Sequence, residues 1–192
     1  MDAFFISTGV VALAEIGDKT QLLAFILAAR FQKSTPIILG IFIATIINHG
    51  LAGAVGTWIA VQIDPSILRW ILGVSFLAMA IWTLIPDKIE EEETHIASKL
   101  GVFGATLITF FIAEMGDKTQ IATVALAAHF TQPLLVVAGT TTGMLIADVP
   151  AVFIGNRFAE KISMPLVHKL AAAIFALLGV LTLCGKSFDW HF

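Results

Sequence analysis

Charge is scarce in this chain. Asp, Glu, Lys and Arg make up 13% of its 192 residues, about half the share of a soluble domain. Cysteine is almost absent. Cys184 stands alone, so no internal disulfide can form, and its place in an apolar run points to a buried packing thiol. No cluster of Cys and His offers a structural zinc site. Positive charge is not in excess either: the net charge is −3, which argues against a nucleic-acid binder. Met1-Asp2-Ala3-Phe4-Phe5-Ile6 lacks the basic n-region of a cleaved signal peptide. The first apolar run is therefore expected to be retained.

What the chain has instead is apolar mass. Hydrophobic residues reach 58%, with a mean hydropathy of +0.93. A chain of 20.6 kDa cannot hide that much apolar surface in one aqueous core. The composition excludes an ordinary soluble enzyme, and also disorder, which needs low hydrophobicity and high charge. It describes an integral membrane protein. Long unbroken apolar runs favour helices over the short alternating strands of a barrel.

A spanning helix needs about 20 mostly apolar residues. Six candidates lie near 3–29, 36–61, 67–86, 101–128, 133–156 and 166–185. The breaks carry turn chemistry, such as Asp64-Pro65-Ser66 and Thr131-Gln132-Pro133. Orientation follows from loop Lys and Arg. One side holds Arg30, Lys33, Lys88, Lys99, Arg157, Lys161 and Lys169; the other holds only Arg69 and Lys186. This bias places both termini outside and the long loop Asp87–Lys99 in the cytoplasm. Its acids, Glu90 to Glu93, read as a solvated run or as a cation-attracting tail. Trp58, Trp70, Trp82 and Trp190 lie near span ends, as interfacial anchors do.

The chain repeats itself at an offset of 99 residues. Ala14-Glu15-Ile16-Gly17-Asp18-Lys19-Thr20-Gln21 recurs as Ala113-Glu114-Met115-Gly116-Asp117-Lys118-Thr119-Gln120. Eleven of the eighteen positions from 14–31 recur identically in 113–130. The offset also pairs Gly40 with Gly139, Gly56 with Gly155, Arg69 with His168 and Phe76 with Phe175. The expected architecture is all-α, with two three-helix units: residues 1–86, an acidic linker 87–100, and 101–192. A unit of three spans ends on the opposite side from its start. The second unit should then sit upside down, the inverted-repeat plan of secondary transporters, whose sites lie at mid-membrane on interrupted helices.

Glu15 and Glu114 fall near the middle of their apolar runs, each followed three residues later by Asp18 or Asp117. Helical positions three apart share a face. Gln21, Gln120, Thr20 and Thr119 add oxygens, and Gly17 and Gly116 weaken the helix within each motif. A charged residue at a helix centre costs ~2.5–3.5 kcal/mol on insertion scales, so six unpaired charges would cost on the order of 15 kcal/mol. Lys19 and Lys118, at i+4 from each Glu, are expected to pair with the acids. Four acids less two lysines leave −2, which one divalent cation or two protons would neutralise. That sum suggests exchange. Hard oxygen donors suit Ca²⁺, Mn²⁺ or Mg²⁺. Met115, in place of Ile16, offers a thioether but reads first as packing. Buried ion pairs that merely cross-link helices would not require the same octet twice.

The second helix of each unit adds Asn48, His49 and Asp148, with His49 and Asp148 at equivalent positions. Asn48 and Asp148 can complete a metal site. His49 can carry protons near neutral pH or simply pack between helices. Pro150 cannot donate to the carbonyl of Ile146, which leaves a free acceptor near the acid. Gly139-Thr140-Thr141-Thr142-Gly143 is a close-packing pattern.

Glu-x-Gly-Asp-Lys-Thr, present twice in a six-span chain, resembles the GDT-type cation/proton exchangers, which include Golgi calcium/manganese transporters and bacterial manganese exporters. The likeness covers the whole chain. It implies an ion site of Glu15, Asp18, Glu114 and Asp117, assisted by Thr20, Thr119, Gln21 and Gln120. It also implies no enzyme activity and no cofactor beyond the carried ion. The expected partners are a divalent cation, protons and the bilayer. The short chain looks like the bacterial manganese-exporter branch, in the inner membrane, with Ca²⁺/H⁺ exchange as the alternative and Glu15, Glu114 and His49 carrying protons. Two readings from other classes are an intramembrane aspartyl protease using Asp18 and Asp117, and an exporter of small organic cations.

Overall fold

The computed structural model describes residues 1–85, 100–154 and 164–184. Among them every regular element is a helix. They are α1 (Asp2–Glu15), α2 (Lys19–Phe31), α3 (Ser34–Gln62), α4 (Pro65–Trp82), α5 (Gly101–Glu114), α6 (Lys118–His129), α7 (Pro133–Ile154) and α8 (Met164–Leu183). α3, α4 and residues Pro133–Phe153 of α7 are long and apolar enough to cross a membrane. The expected spans 3–29 and 101–128 are each two half-helices, α1–α2 and α5–α6, divided at the repeated motif. The linker 87–99, Arg157, Lys161, Lys186 and Trp190 lie outside the described residues.

Large apolar side chains cover the outside: Trp58, Val61, Trp70, Leu134 and Phe153 are all exposed. In water such a surface would be unfavourable by ~25 cal/mol per Å²; against lipid it is not. The first turn of α4 is capped at the loop. Asp64 accepts from the Ser66 backbone N–H at 2.8 Å and from its hydroxyl at 2.5 Å, and both hold the exposed Asp64 carboxyl below its usual value.

With no hydrophobic drive between helices in lipid, close approach depends on small residues. The helix pairs formed this way are not neighbours in sequence. A Cβ on Gly139 would meet the carbonyl oxygen of Phe4 at 2.5 Å, and one on Gly143 the carbonyl oxygen of Thr8 at 2.6 Å. The glycine pattern of α7 is thus the seat of α1, which runs parallel to it. Gly40 of α3 meets Thr106 of α5 in the same manner. The two contacts correspond: Gly40 and Gly139, like Ser7 and Thr106, are separated by the 99-residue offset, and Ser7 lies against Gly139. α4 and α8 cross antiparallel, with Gly73 against Leu183 and Gly179 against Leu77, and Phe76 and Phe175 are both buried in that cluster.

Cys184 departs from expectation. It is exposed, because it stands one residue past the end of α8, where the apolar run leaves the bundle.

Gly139→Val should lower stability by about 1–3 kcal/mol, the usual cost of forcing atoms into a filled interface. Gly50→Ala, which meets nothing within 4 Å, should leave it nearly unchanged. Thermal unfolding in detergent, followed by the monodisperse fraction on gel filtration, checks both.

Candidate metal centre

Each motif forms the same sharp turn. Ile16 has φ −61° and ψ 117°, Gly17 has φ +86°, and the Asp18 N–H donates to the Glu15 carbonyl at 2.9 Å. In the second copy Met115 has φ −64° and ψ 119°, Gly116 has φ +76°, and Asp117 N–H donates to Glu114 carbonyl at 3.2 Å. This is type II turn geometry, which requires a residue with positive φ at its third position. Gly fills it without the Cβ clash that other residues meet there. Glutamine closes each turn. Gly17 N–H donates to Gln21 Oε1 at 2.9 Å, and Gly116 N–H to Gln120 Oε1 at 2.7 Å.

The turn places Glu15 at the C-terminus of α1 and Glu114 at the C-terminus of α5, while Asp18 and Asp117 begin α2 and α6. Helix C-termini carry partial negative charge and favour a cation. One carboxylate oxygen each from Glu15, Glu114 and Asp117 lies within 4.8 Å of the others, and all three residues are buried. Both oxygens of Glu15, Glu114 Oε2 and Asp117 Oδ2 are buried without a hydrogen-bond partner among the described residues. Buried carboxylates left this way are strongly unfavourable unless a cation or protons arrive. The hard oxygens converging here suit Mn²⁺, Ca²⁺ or Mg²⁺.

The turn also redirects the pairings expected from helical spacing. The ion pairs that the two lysines form cross to the opposite motif. Lys118 Nζ lies 2.6 Å from Asp18 Oδ1, and Lys19 Nζ lies 3.8 Å from Asp117 Oδ1. Both pairs join one motif to the other, because the break at Gly17 and Gly116 ends the helix before i+4 can be reached. Asp18 is held by Lys118 beside the carboxylate triad and is not one of its three converging residues.

The glutamines bind across as well. Gln21 Nε2 donates to the Ala147 carbonyl at 2.9 Å, and Gln120 Nε2 donates to Asn48 Oδ1 at 3.3 Å. Positions 48 and 147 are equivalent under the offset. The α7 carbonyl that receives Gln21 is therefore Ala147's, one residue beyond Ile146. Asn48 also donates to the Phe111 carbonyl at 3.1 Å, so both ends of its amide are engaged. Thr119 Oγ1 donates to Glu114 Oε1, whereas Thr20 Oγ1 is buried without a partner among the described residues.

His49 and Asp148 flank the triad from α3 and α7. His49 Nε2 lies 3.6 Å from Glu114 Oε1. Asp148 is wholly buried, neither of its oxygens has a hydrogen-bond partner among the described residues, and it lies within electrostatic reach of Glu114. Five buried acids then face two lysines, one negative charge more than a divalent cation removes. Met115 does not pack in the core: it is 60% exposed, because the turn points it outward.

The sequence that builds this site belongs to a known class of carrier. The family model described as "Divalent cation/proton antiporter GDT1" matches residues 3–91 and again 102–190, two stretches separated by the same 99 residues. The chain belongs to that family, which is one of membrane transporters and not of enzymes. It is 51% identical over 183 residues to a Vibrio cholerae protein named "Putative manganese exporter", covering 95% of this chain and 90% of that one. It is 31% identical over 199 residues to GDT1-like protein 4 of rice, covering 91% and 70% of the two chains. It is 30% identical over 201 residues to a GDT1-like protein of Synechocystis, covering 95% and 97%. No solved structure matches the chain. Membership of a transporter family displaces the protease alternative, and the aspartates it would need are each matched with a lysine.

Gly116→Ala should cost about 1–2 kcal/mol of stability, the penalty for a Cβ in the left-handed region, and should weaken divalent-cation binding by moving Glu114. Gly9→Ala, in open space, should do neither. Thermal unfolding and titration calorimetry in detergent measure the two effects.

Proposed function

We propose that the chain is a multi-pass transporter of the bacterial inner membrane that exports Mn²⁺ in exchange for protons by alternating access. The observation that carries this reading is the buried triad of Glu15, Glu114 and Asp117, drawn from both motifs, with oxygens within 4.8 Å of one another. Such a group is favourable only with positive charge inside it. Metal and protons are interchangeable as that charge, which is the basis of exchange. The relatives support the substrate: one is named a manganese exporter, and the family is described as a divalent cation/proton antiporter. Ca²⁺ satisfies the same oxygens and is the second reading.

The proposed arrangement is six spans in two inverted units, with both termini outside. Its support is the direction of equivalent helices. On α3, Gly53 follows His49; on α7, Val137 precedes Asp148; and Gly53 lies against Val137. Earlier on α3, Ile37 and Ile41 share a cluster with Val152, late on α7, and the two contacts together support opposite directions for α3 and α7. Seven loop cations on one side against two on the other support the orientation.

In this mechanism Glu15, Glu114 and Asp117 bind the metal at mid-membrane. Asp148 and His49 hold the remaining proton beside Glu114. Gln21 and Gln120 hold the turns that aim the glutamates, and Asn48 anchors Gln120. Protonation of the glutamates from outside releases the metal, and loss of those protons inside restores the site.

Cells expressing Glu15→Gln should make normal amounts of folded protein yet lose Mn²⁺ export, read as Mn²⁺ sensitivity and raised cell Mn²⁺. Undiminished Mn²⁺ resistance in that variant would overturn the assignment. In proteoliposomes, Asp148→Asn should retain Mn²⁺ binding but lose about a hundredfold of the Mn²⁺-driven proton flux, the lower end of what a positioned acid–base group contributes. Ca²⁺ driving the flux in wild type while Mn²⁺ does not would select the second reading.

A further inference from the structure

The two motifs are alike in sequence but unlike in engagement. Lys118 and Asp18 are 2.6 Å apart, and both are buried. The 99-residue offset carries that pair onto Lys19 and Asp117, which stand 3.8 Å apart with the Lys19 side chain 21% exposed. The neighbouring threonines differ in the same sense: Thr119 holds Glu114, and Thr20 has no hydrogen-bond partner among the described residues. The N-terminus of α6 is thus engaged at two successive residues, and that of α2 is slack at both. Equivalent halves in unequal arrangements are what one member of a two-state pair looks like.

We infer that Lys19 and Lys118 are positioning residues that act as alternating internal counter-ions. Each in turn clamps the aspartate of the opposite motif and so withdraws it from the carried metal. In the arrangement described, Lys118 withholds Asp18, and the metal is offered Glu15, Glu114 and Asp117. In the exchanged arrangement, Lys19 closes on Asp117, Lys118 releases Asp18, and the metal keeps both glutamates while its third carboxylate changes. The exchange must be concerted. With both clamps open, the buried Lys118, the half-buried Lys19 and two buried aspartates would stand unpaired, a costly state in a low-dielectric interior. With both closed, the glutamates would lose their third partner. Each clamp therefore opens as the other shuts, and the metal is handed from one half to the other without leaving the site.

This inference rests on the alternating-access reading above, and its test is independent of the ion carried. Thr20→Cys in a Cys184→Ser background places one thiol at the site. Its labelling by a membrane-impermeant thiol reagent is compared in spheroplasts and in everted vesicles. The ratio of the two rates reads which side the site faces. Lys118→Gln removes the closed clamp and Lys19→Gln the open one. They should shift the ratio in opposite directions, each by about fivefold or more, the lower range of conformational coupling. Shifts in the same direction, or smaller ones, would overturn the inference. If a single variant does not fold, Asp18→Asn with Lys118→Met replaces it, with Asp117→Asn and Lys19→Met as its counterpart, since neither combination leaves a buried charge alone. Mn²⁺ transport by the parent protein is scored separately. Its absence would overturn the assigned cargo, and the labelling ratio would still be readable.

Discussion

The organising constraint of this molecule is the repulsion among carboxylates held out of water. Glu15, Glu114 and Asp117 converge where the medium screens them poorly. Several nearby features answer that repulsion, although the buried Asp148 adds to it. The lysines cross to the opposite motif, Thr119 takes one oxygen of Glu114, and His49 stands beside the same oxygen. Enough carboxylate oxygen remains without a partner for a cation to complete the set. The backbone serves the same end. Ending α1 and α5 at the glutamates turns two helix C-termini toward the centre, adding carbonyl character where a cation would sit.

Holding that cluster requires a frame that does not relax apart. The glycine contacts of α7 with α1 and of α3 with α5 bring backbones together where larger side chains would hold them apart. The glutamines then tie each turn to the facing helix of the other unit, at Ala147 and at Asn48. Each turn is closed by its own backbone hydrogen bond and held at its glycine by the glutamine.

Much of this was legible in the sequence, and the failures have physical causes. The doubled octet marked the site because charge is so rare in apolar runs that each instance stands out. Helical spacing then misled. It put Lys19 with Glu15 and Lys118 with Glu114, yet the helix ends at the glutamate. A signal was present: Glu-x-Gly-Asp carries glycine at the third position of four, where a type II turn needs it. Spacing along one chain could not say which helices would meet, so the crossing of each lysine to the opposite aspartate lay outside its reach. The exposure of Met115 and Cys184 was missed for a simpler reason. Both sit where a helix has just ended, and periodicity does not extend past an end.

The mirrored glycine contacts have a consequence for the origin of the chain. The first helix of each unit finds its closest neighbour in the other unit, and so does the third. A single unit would have little interior of its own and could not persist as a lone three-helix protein. In the proposed inverted arrangement, an ancestor one unit long would have needed a second copy of itself, inserted in the opposite sense, to supply those neighbours. Fusion of the two genes would then have freed the halves to diverge, and His49 opposite Asp148 is one place where they have.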